Sequence, residues 1–534
     1  MPRRHQDEDQ SAAPRRQSDG LARHGVHLTF GPDPASSMIV SWITRSPVLR
    51  PEVRLRPAPI DNTATATDAA TATDTDAAAG TDTAAGTGIK VDAVTRSYTD
   101  AVTRQEIFAH HALLEGLEPD TEYRYEISMR VPGNAPFRHR GSGRLLELGG
   151  SSFRTAPSGR TAFSFTCFGD HGTDHPEDPF GTAASATLVA GIERVAPLFT
   201  LVNGDLAYAN VNAVPPVAWS GWFEMISASA HRRPWMPSAG NHEIERGNGA
   251  LGLAAYQTYF QLPSNDDEPY LDGLWYAFTV GGVRFVVLSG DDVCYQDAGR
   301  VYLHGYSSGR QTAWLERELK QARADRDVDW IVAVAHQPAI STAAHHNGAD
   351  LGLREEWLPL FDQYGVDLVL SGHEHHYERT HPLRGVIEGT PTRTPRPVPA
   401  ATTTENGAIT IDTSAGAVHL LVGTGGSSTP SAHELFDPPA CQVVVGVRDP
   451  APGQRHHPAI REMESAPWLA ARFPDHPYAF AGFEVDPGTP GGTTRIVVTV
   501  YDSSTAEPVP FDTFTLVRPR GDADGPWSPA LDGV

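Results

Sequence analysis

Five short motifs combine glycine with carboxylate, phenol, amide or imidazole side chains, which are donors that proteins use to bind metal ions. In chain order the motifs are Gly169-Asp170-His171-Gly172, Gly204-Asp205-Leu206-Ala207-Tyr208, Gly240-Asn241-His242-Glu243, the single His336, and Gly372-His373-Glu374-His375. This mixture of oxygen and nitrogen donors suits Fe, Mn or Zn better than calcium. Glycine beside a donor lets the backbone turn sharply and approach an ion closely. The residue types therefore predict a transition-metal site, provided that the fold brings the motifs together.

The position of the motifs relative to apolar runs favours such a convergence. A single Gly-Asp pair is usually only a turn, and a lone histidine is usually not a ligand. Ligands of open α/β sheets, however, bind where strands end and loops begin. Four of the five motifs begin at or within about two residues of the end of an apolar run, namely the runs 163–168, 198–202, 331–335 and 366–370.

The elements around these runs alternate between strands and helices. Three stripes of apolar residues at helical spacing separate the runs. They are Leu188, Ile192 and Val195; Leu315, Leu319 and Ala322; and Trp357, Leu360, Phe361 and Tyr364. This alternation predicts an α/β domain over residues 162–426. Residues 437–478 are rich in Pro, Arg and His and are predicted to form an irregular insert, followed by a C-terminal β-rich segment at 479–520.

The N-terminal part has a different pattern. Residues 25–156 contain short strand-like runs separated by turns, which predicts an all-β sandwich. Residues 61–88 are almost entirely Ala, Thr, Asp and Gly, which predicts a flexible insert in that sandwich. Residues 1–24 are predicted to be a disordered polar tail. The paired arginines in this tail are not followed by the apolar stretch of an export signal, which favours a cytoplasmic location.

Composition excludes several classes of function. The chain has 534 residues and a net charge of 42 − 65 = −23, which argues against broad binding to nucleic acid or acidic membranes. Neither lysine, Lys90 or Lys320, belongs to an ATP-binding GxxxxGK[ST] loop. The three cysteines, Cys167, Cys294 and Cys441, lack the CxxC spacing of a zinc ribbon. We expect buried free thiols, with one disulfide as the alternative.

The order GDxG, GDxxY, GNH[DE], a strand-ending His and GHxH resembles that of the purple acid phosphatases, a branch of the calcineurin-like metallophosphoesterases. The resemblance covers roughly residues 162–426. It implies a β-sandwich of mixed sheets flanked by helices, preceded by a fibronectin III-like domain that ends near Ser152-Phe153-Arg154-Thr155. The strands after Phe480 resemble the C-terminal segment of that family.

The resemblance also implies the role of each candidate ligand. Asp170, Tyr208 and His375 would bind Fe(III), and Asn241, His336 and His373 would bind a divalent Zn, Mn or Fe ion. Asp205 would bridge the two ions. Gly172 occupies the position at which the wider superfamily has a metal-binding histidine, and Tyr208 resembles the tyrosine that replaces this ligand in purple acid phosphatases.

The implied activity is hydrolysis of small phosphate monoesters with an acidic optimum, releasing inorganic phosphate. Metal-bound hydroxide would be the nucleophile, and His242, His345 and His346 are the candidate general acids. His345 and His346 have the alternative of being an exposed loop pair. Two further alternatives stay open: phosphodiester or nucleotide hydrolysis at the same centre, and an inactive binding or adhesion protein.

Three other expectations concern location, assembly and the remaining histidine pairs. Members of this family are often exported, so secretion is the alternative to the cytoplasm, and no oligomeric state is predicted. His110-His111 and His456-His457 belong to no motif and are expected to be solvated.

Overall fold

The computed structural model describes residues 23–58, 88–132, 143–175, 178–298, 301–403 and 407–523. The predicted tail, residues 1–24, and the predicted insert, residues 61–88, lie almost wholly outside the described residues. No helix within these ranges is both long and apolar enough to cross a membrane. Cys167, Cys294 and Cys441 are buried free thiols, as predicted.

The N-terminal part is an all-β sandwich, which confirms the prediction for this region. Its strands are β1 His27–Phe30, β2 Ser37–Thr44, β3 Leu49–Pro57, β4 Ile89–Asp92, β5 Val94–Thr99, β6 Glu106–Glu115, β7 Glu122–Pro132 and β8 Gly143–Arg154. They form two antiparallel sheets with the orders β1-β2-β6-β5 and β4-β3-β7-β8. Alternating side chains of β7, including Tyr125 and Ile127, are buried between the sheets.

The rest of the chain is built around two large mixed sheets. Its strands are β9 Phe163–Phe168, β10 Phe199–Val202, β11 Trp235–Pro237, β12 Tyr276–Val280, β13 Val283–Leu288, β14 Trp330–Ala335, β15 Ala349–Asp350, β16 Leu368–Ser371, β17 Tyr377–Thr380, β18 Leu383–Val386, β19 Pro395–Pro397, β20 Ala401–Thr403, β21 Ile409–Asp412, β22 Val418–Val422, β23 Ala440–Val447, β24 Ala459–Ser465, β25 Leu469–Arg472, β26 Ala479–Asp486, β27 Thr493–Asp502 and β28 Val509–Pro519. One sheet has the order β11-β10-β9-β26-β27-β28-β21-β20, and the other has the order β12-β13-β14-β16-β22-β17-β25. The described residues also form two small sheets, β15-β23-β24 and β18-β19.

Aromatic side chains join the two large sheets. Phe165 of β9 meets Phe285 of β13 edge to face with a centroid distance of 5.1 Å. Phe199 of β10 meets the same ring at 5.3 Å and Phe278 of β12 at 5.7 Å. Such pairs contribute about 0.5–1.5 kcal/mol each beyond the area that they bury. This packing holds the strands that lead to the first motifs against the strands of the second sheet.

The described ranges contain six α-helices that accompany the sheets: α1 Ala183–Val195, α2 Pro215–Ala230, α3 Ala254–Tyr259, α4 Arg310–Ala324, α5 Leu351–Glu356 and α6 Leu358–Tyr364. The Thr182 side chain caps α1 by accepting a hydrogen bond from the Ala184 amide. Leu188 and Ile192 of α1 are buried, and Leu315 and Leu319 of α4 are buried likewise. The α/β domain predicted from these stripes is confirmed, and so are the mixed sheets that the family resemblance implied.

Residues 437–478 are not irregular, so this prediction was wrong. They contain β23, β24 and β25, of which β23 and β24 form an antiparallel pair and β25 extends the second large sheet by pairing with β17. The sequence of β24, AIREMES, is mostly exposed and lacks the alternation of a half-buried strand. Its strand conformation therefore comes from pairing with β23 rather than from a local apolar pattern.

His110 and His111 are buried, contrary to the expectation that they are solvated. They are adjacent on β6, so they point to opposite faces of the sheet. His110 lies between the hydroxyl groups of Thr44 and Thr95, at 2.9 and 2.8 Å. Nε2 of His111 lies 3.0 Å from the carbonyl oxygen of Thr258, in α3. Both histidines are buried because β6 packs against the sandwich core on one face and the α/β part of the chain on the other.

We expect these buried histidines to make folding stability depend on pH. Burial lowers the pKa of His110 from 6.5 to about 4, so the unfolded chain binds a proton that the folded chain does not. Stability should therefore fall as the pH decreases from about 6.5 to 4, by roughly 3 kcal/mol for this residue. The check is the thermal midpoint of the wild type and His110→Gln at pH 7 and pH 4.5.

The stability difference between these two proteins should narrow or reverse at the lower pH. His456→Gln is the matched control, because the His456 side chain is 62% exposed. An unchanged difference between wild type and His110→Gln across this range would contradict the account.

Candidate metal centre

All five motifs follow the carboxyl ends of strands. The fifth, Gly240-Asn241-His242-Glu243, follows β11, a strand of only three residues that pairs in parallel with β10. Strands β9, β10 and β11 are parallel neighbours in one sheet, and β14 and β16 are parallel neighbours in the other. The donors that follow the strands of both sheets therefore meet where the carboxyl ends of these strands come together.

Four of the seven candidate ligands have left-handed backbone conformations, which non-glycine residues rarely adopt. The φ angles are 60° at Asp170, 53° at Asp205, 50° at Tyr208 and 72° at His373. Each such residue costs on the order of 1–3 kcal/mol and persists only where the surrounding structure enforces it. The concentration of strain in these motifs indicates that the positions of their side chains matter more than local stability.

Three candidate ligands form a first donor group. Nε2 of His375 lies 3.2 Å from Oδ1 of Asp170 and 3.3 Å from the phenol oxygen of Tyr208. The phenol oxygen lies 3.5 Å from the same carboxylate oxygen. The three donor atoms thus form a triangle whose edges resemble the separation of ligands around a single ion.

The other four form a second donor group. Nε2 of His336 lies 3.1 Å from Oδ2 of Asp205 and 3.1 Å from Oδ1 of Asn241. Nδ1 of His373 lies 3.2 Å from Nε2 of His336. Asp205, His336 and His373 each offer a donor within 4.8 Å of the other two. The two groups are adjacent, because the His373 amide donates to Oδ2 of Asp170 at 2.8 Å.

Hydrogen bonds to the backbone fix the orientation of two imidazoles. Nδ1 of His336 donates to the carbonyl oxygen of Asn203 at 2.6 Å, and Nδ1 of His375 donates to that of Thr429 at 2.8 Å. When Nδ1 carries the proton, Nε2 of a neutral ring keeps its lone pair. Each Nε2 lone pair is thereby directed into a donor group, as in metal-binding histidines whose other nitrogen is hydrogen-bonded.

The electrostatics of both groups favour positive charge. Burial would lower the pKa of His336, but the carboxylates of Asp205 and Asp170 raise it to about 10. Burial favours a neutral Asp205, but His336 and His242 hold the pKa of that carboxyl well below its usual range. Burial, and then the charge of Asp170, raises the pKa of Tyr208. The buried donors therefore fit transition-metal cations, which replace protons at imidazole and phenol groups.

Two glycines allow this close approach. A methyl group at Gly240 would collide with Oδ1 of Asp205, and one at Gly372 would collide with Oδ2 of Asp170. Neither glycine has a positive φ, so the requirement is for space and not for an unusual backbone angle.

Two of the three candidate acids lie beside the donor groups. The His242 ring packs on the Tyr208 ring with centroids 4.4 Å apart, and its Nε2 lies 3.9 Å from Oδ2 of Asp205. The His346 ring packs on the His375 ring at 4.6 Å, with Nδ1 3.1 Å from Oε2 of Glu374. His345, the third, is exposed.

The histidines outside the seven-donor set have other partners. Both ring nitrogens of His171 are engaged away from the donor groups, with the Ser185 carbonyl oxygen and the Trp222 indole. His457 is half-buried beside Asp297, and its backbone amide donates a hydrogen bond to Oδ2 of that residue at 2.7 Å. His456, the other member of the pair, is largely exposed.

Sequence reasoning assigned no role to three residues that support the site. The Glu243 carboxylate accepts hydrogen bonds from the amides of Asp205, Leu206 and Gly240 at 2.8–2.9 Å. Oδ1 of Asn210 lies 2.8 Å from Nδ1 of His242, and the Gln296 amide lies 2.7 Å from Nε2 of His373. Glu243 and Asn210 lie within or beside motifs, so their proximity to candidate ligands was a usable signal. Gln296 belongs to no motif, so nothing in the sequence signalled its contact with His373.

Comparison with known proteins identifies relatives of both parts of the chain. Residues 163–377 match the family model described as Calcineurin-like phosphoesterase, and residues 24–139 match that described as Purple acid Phosphatase, N-terminal domain. An uncharacterized protein of Mycobacterium tuberculosis is 47% identical over 512 residues, which cover 93% of this chain and 87% of that protein.

Two plant proteins extend the comparison. The Fe(3+)-Zn(2+) purple acid phosphatase 12 of Arabidopsis thaliana is 26% identical over 283 residues, which cover 52% of this chain and 54% of that protein. The structure of purple acid phosphatase PPD1 from yellow lupin (Lupinus luteus) has the same fold, with a TM-score of 0.64 and 20% identity. That match covers 93% of this chain and 75% of the lupin chain.

Proposed function

The chain belongs to the purple acid phosphatase family of calcineurin-like phosphoesterases, and we propose that it hydrolyses phosphate monoesters at a binuclear metal centre. The observation that carries this proposal is the division of seven donors, six buried and one half-buried (Asn241), into two adjacent groups. Asp170, Tyr208 and His375 would hold Fe(III), and Asn241, His336 and His373 would hold Zn, Mn or Fe(II). Asp205 would contribute to both.

Ions bound there would polarise the phosphoryl group and acidify a water molecule, which is the basis of the proposed acidic optimum. Tyr208 supports a trivalent ion in the first group, because it matches the tyrosine that binds ferric iron as tyrosinate in purple acid phosphatases. The name of the Arabidopsis relative, an Fe(3+)-Zn(2+) enzyme, supports the same pair of metals.

The protein's own side chains would orient the ester and donate a proton to the leaving group. Asn210 engages Nδ1 of His242, so Nε2 of that ring faces the donor groups and can hold a proton near the departing oxygen. His346 packs against His375. The Phe180 ring stacks on Tyr208 with centroids 5.5 Å apart and covers one face of that ligand. We assign the acid role to His242 or His346, with exposed His345 as an auxiliary contact.

Rates on an aryl phosphate and a bis-aryl phosphate test the proposal against its main alternative. We expect the protein loaded with iron and zinc to cleave the monoester faster, with a maximum below pH 7. Treatment with a chelator should abolish the activity, and the two metals should restore it. A faster rate on the diester would favour a phosphodiesterase, and activity that survives complete metal removal would reject the proposal.

A further inference from the structure

A second pair of buried carboxylates lies where the N-terminal sandwich meets the phosphoesterase part. The loop after β5 and the loop at residues 245–248 line a cavity of about 450 Å³, which we call the junction pocket. Its walls are formed by Asp100, Ala101, Val102, Asn210, Pro215, Glu245, Arg246 and Gly247. Asp100 is 0% exposed and Glu245 is 3% exposed.

Hydrogen bonds hold both carboxylates in fixed positions. Oδ1 of Asp100 accepts from the amide and the hydroxyl of Thr103, both at 2.6 Å. Glu245 accepts from the Trp219 indole and from the Asn248 side chain, both at 2.7 Å. The Asn248 side chain also accepts from the Ala101 amide at 2.9 Å, so it links the two loops. The carboxylates are therefore part of one rigid junction.

The charge of this junction is not balanced by the residues that surround it. Oδ2 of Asp100 is buried and accepts no hydrogen bond from any residue in the described ranges. Within the same ranges neither Asp100 nor Glu245 forms an ion pair, and Arg246 on the pocket wall is exposed. Burial, opposed by the Trp219 hydrogen bond and reinforced by Asp100, raises the pKa of Glu245 to about 7. Buried charges are normally paired or coordinate a metal ion.

We propose that the junction pocket binds one oxygen-liganded cation of the Ca²⁺ class, held by Asp100 and Glu245. Carboxylate oxygens without imidazole or thiolate select hard cations, whereas the imidazole-rich metal centre selects transition metals. Asn210 lines the same pocket, and its Oδ1 engages Nδ1 of His242. A bound cation would thus join the two parts of the chain and fix the pocket wall whose Asn210 contacts the candidate catalytic His242.

Calcium titration of the full chain, already loaded with iron and zinc in chelator-free buffer, tests the proposal. We expect one Ca²⁺ per chain with a dissociation constant of roughly 10⁻⁴–10⁻³ M, as for sites with few charged ligands. Asp100→Asn and Glu245→Gln should each weaken binding by about tenfold or more. Asp92→Asn, which removes an exposed carboxylate from the same sandwich, should leave binding unchanged. Iron and zinc content should be the same in all four proteins.

Terbium luminescence gives an independent reading on the wild type alone. Trp219 donates directly to Glu245, so Tb³⁺ in the pocket should be excited through an indole and displaced by Ca²⁺. Failure of the wild type to bind Ca²⁺ at about 10 mM, some tenfold above the expected range, would overturn the proposal. Unaltered binding in both pocket variants would overturn it as well. A wild type that binds no Ca²⁺ and is less stable than Glu245→Gln would also overturn the proposal. It would show that Asp100 and Glu245 share a proton rather than a cation.

Discussion

Replacing Asp205 with asparagine is expected to lower kcat on an aryl phosphate by roughly 10³-fold or more, which corresponds to ~4 kcal/mol of transition-state stabilisation. Asp205 is the only candidate ligand assigned to both ions, and its carboxylate is 3.1 Å from Nε2 of His336. Asparagine keeps the shape of the side chain but removes a buried negative charge. The second donor group would then contain two imidazoles and two amides, which cannot neutralise a divalent ion.

The Asp205→Asn experiment needs measurements of both rate and metal content. The variant should fold, because the backbone of residue 205 is held by Glu243 through its amide rather than by its own carboxylate. Asp120→Asn is the control, since the Asp120 carboxylate is exposed and pairs with the exposed Arg154. A correctly folded Asp205→Asn variant whose activity is within tenfold of the wild type would contradict the proposed role of Asp205.

Replacing Tyr208 with phenylalanine is expected to remove the visible colour of the iron-loaded protein. A tyrosinate bound to Fe(III) produces a violet or pink charge-transfer band, and phenylalanine cannot donate charge in this way. The ring should keep its place between Phe180 and His242, whose centroids lie 5.5 and 4.4 Å from that of Tyr208. Loss of one of the four ligands proposed for the iron, Asp205 included, should also weaken iron binding and lower kcat by about 10²-fold.

A second buried tyrosine provides the matched control for this spectrum. The Tyr256 phenol donates to the Pro237 carbonyl oxygen at 2.9 Å and belongs to neither donor group. Tyr256→Phe should therefore lose stability but keep its colour. A Tyr208→Phe protein with an unchanged visible band and full iron content would show that another residue donates to the iron.

Local patterns sufficed where a strand is buried and bounded by a motif. The apolar run 163–168 is the observed strand β9, and His336 directly follows β14, as the run before it predicted. β11 was missed because a three-residue strand with prolines at both sides has no periodicity to detect. Its existence depends on parallel pairing with β10, which lies more than thirty residues earlier.

Long-range contacts explain what the sequence did not reveal about the site. The Glu243 carboxylate is hydrogen-bonded to the amides of Asp205 and Leu206, which lie 38 and 37 positions earlier in the chain. His111 is hydrogen-bonded to Thr258, which lies 147 positions later in the chain. The local sequence therefore did not indicate that His110 and His111 are buried. The role of Tyr208 came from resemblance to a family, and its proximity to His375 required the fold.

Metal analysis of the protein as isolated, together with its visible spectrum, tests the central claim most directly. Seven donors in two groups predict two transition-metal ions per chain, one of them iron, with a violet or pink band. Chelation should remove both the ions and the colour. A protein that holds less than one ion per chain even after incubation with iron and zinc would contradict the account.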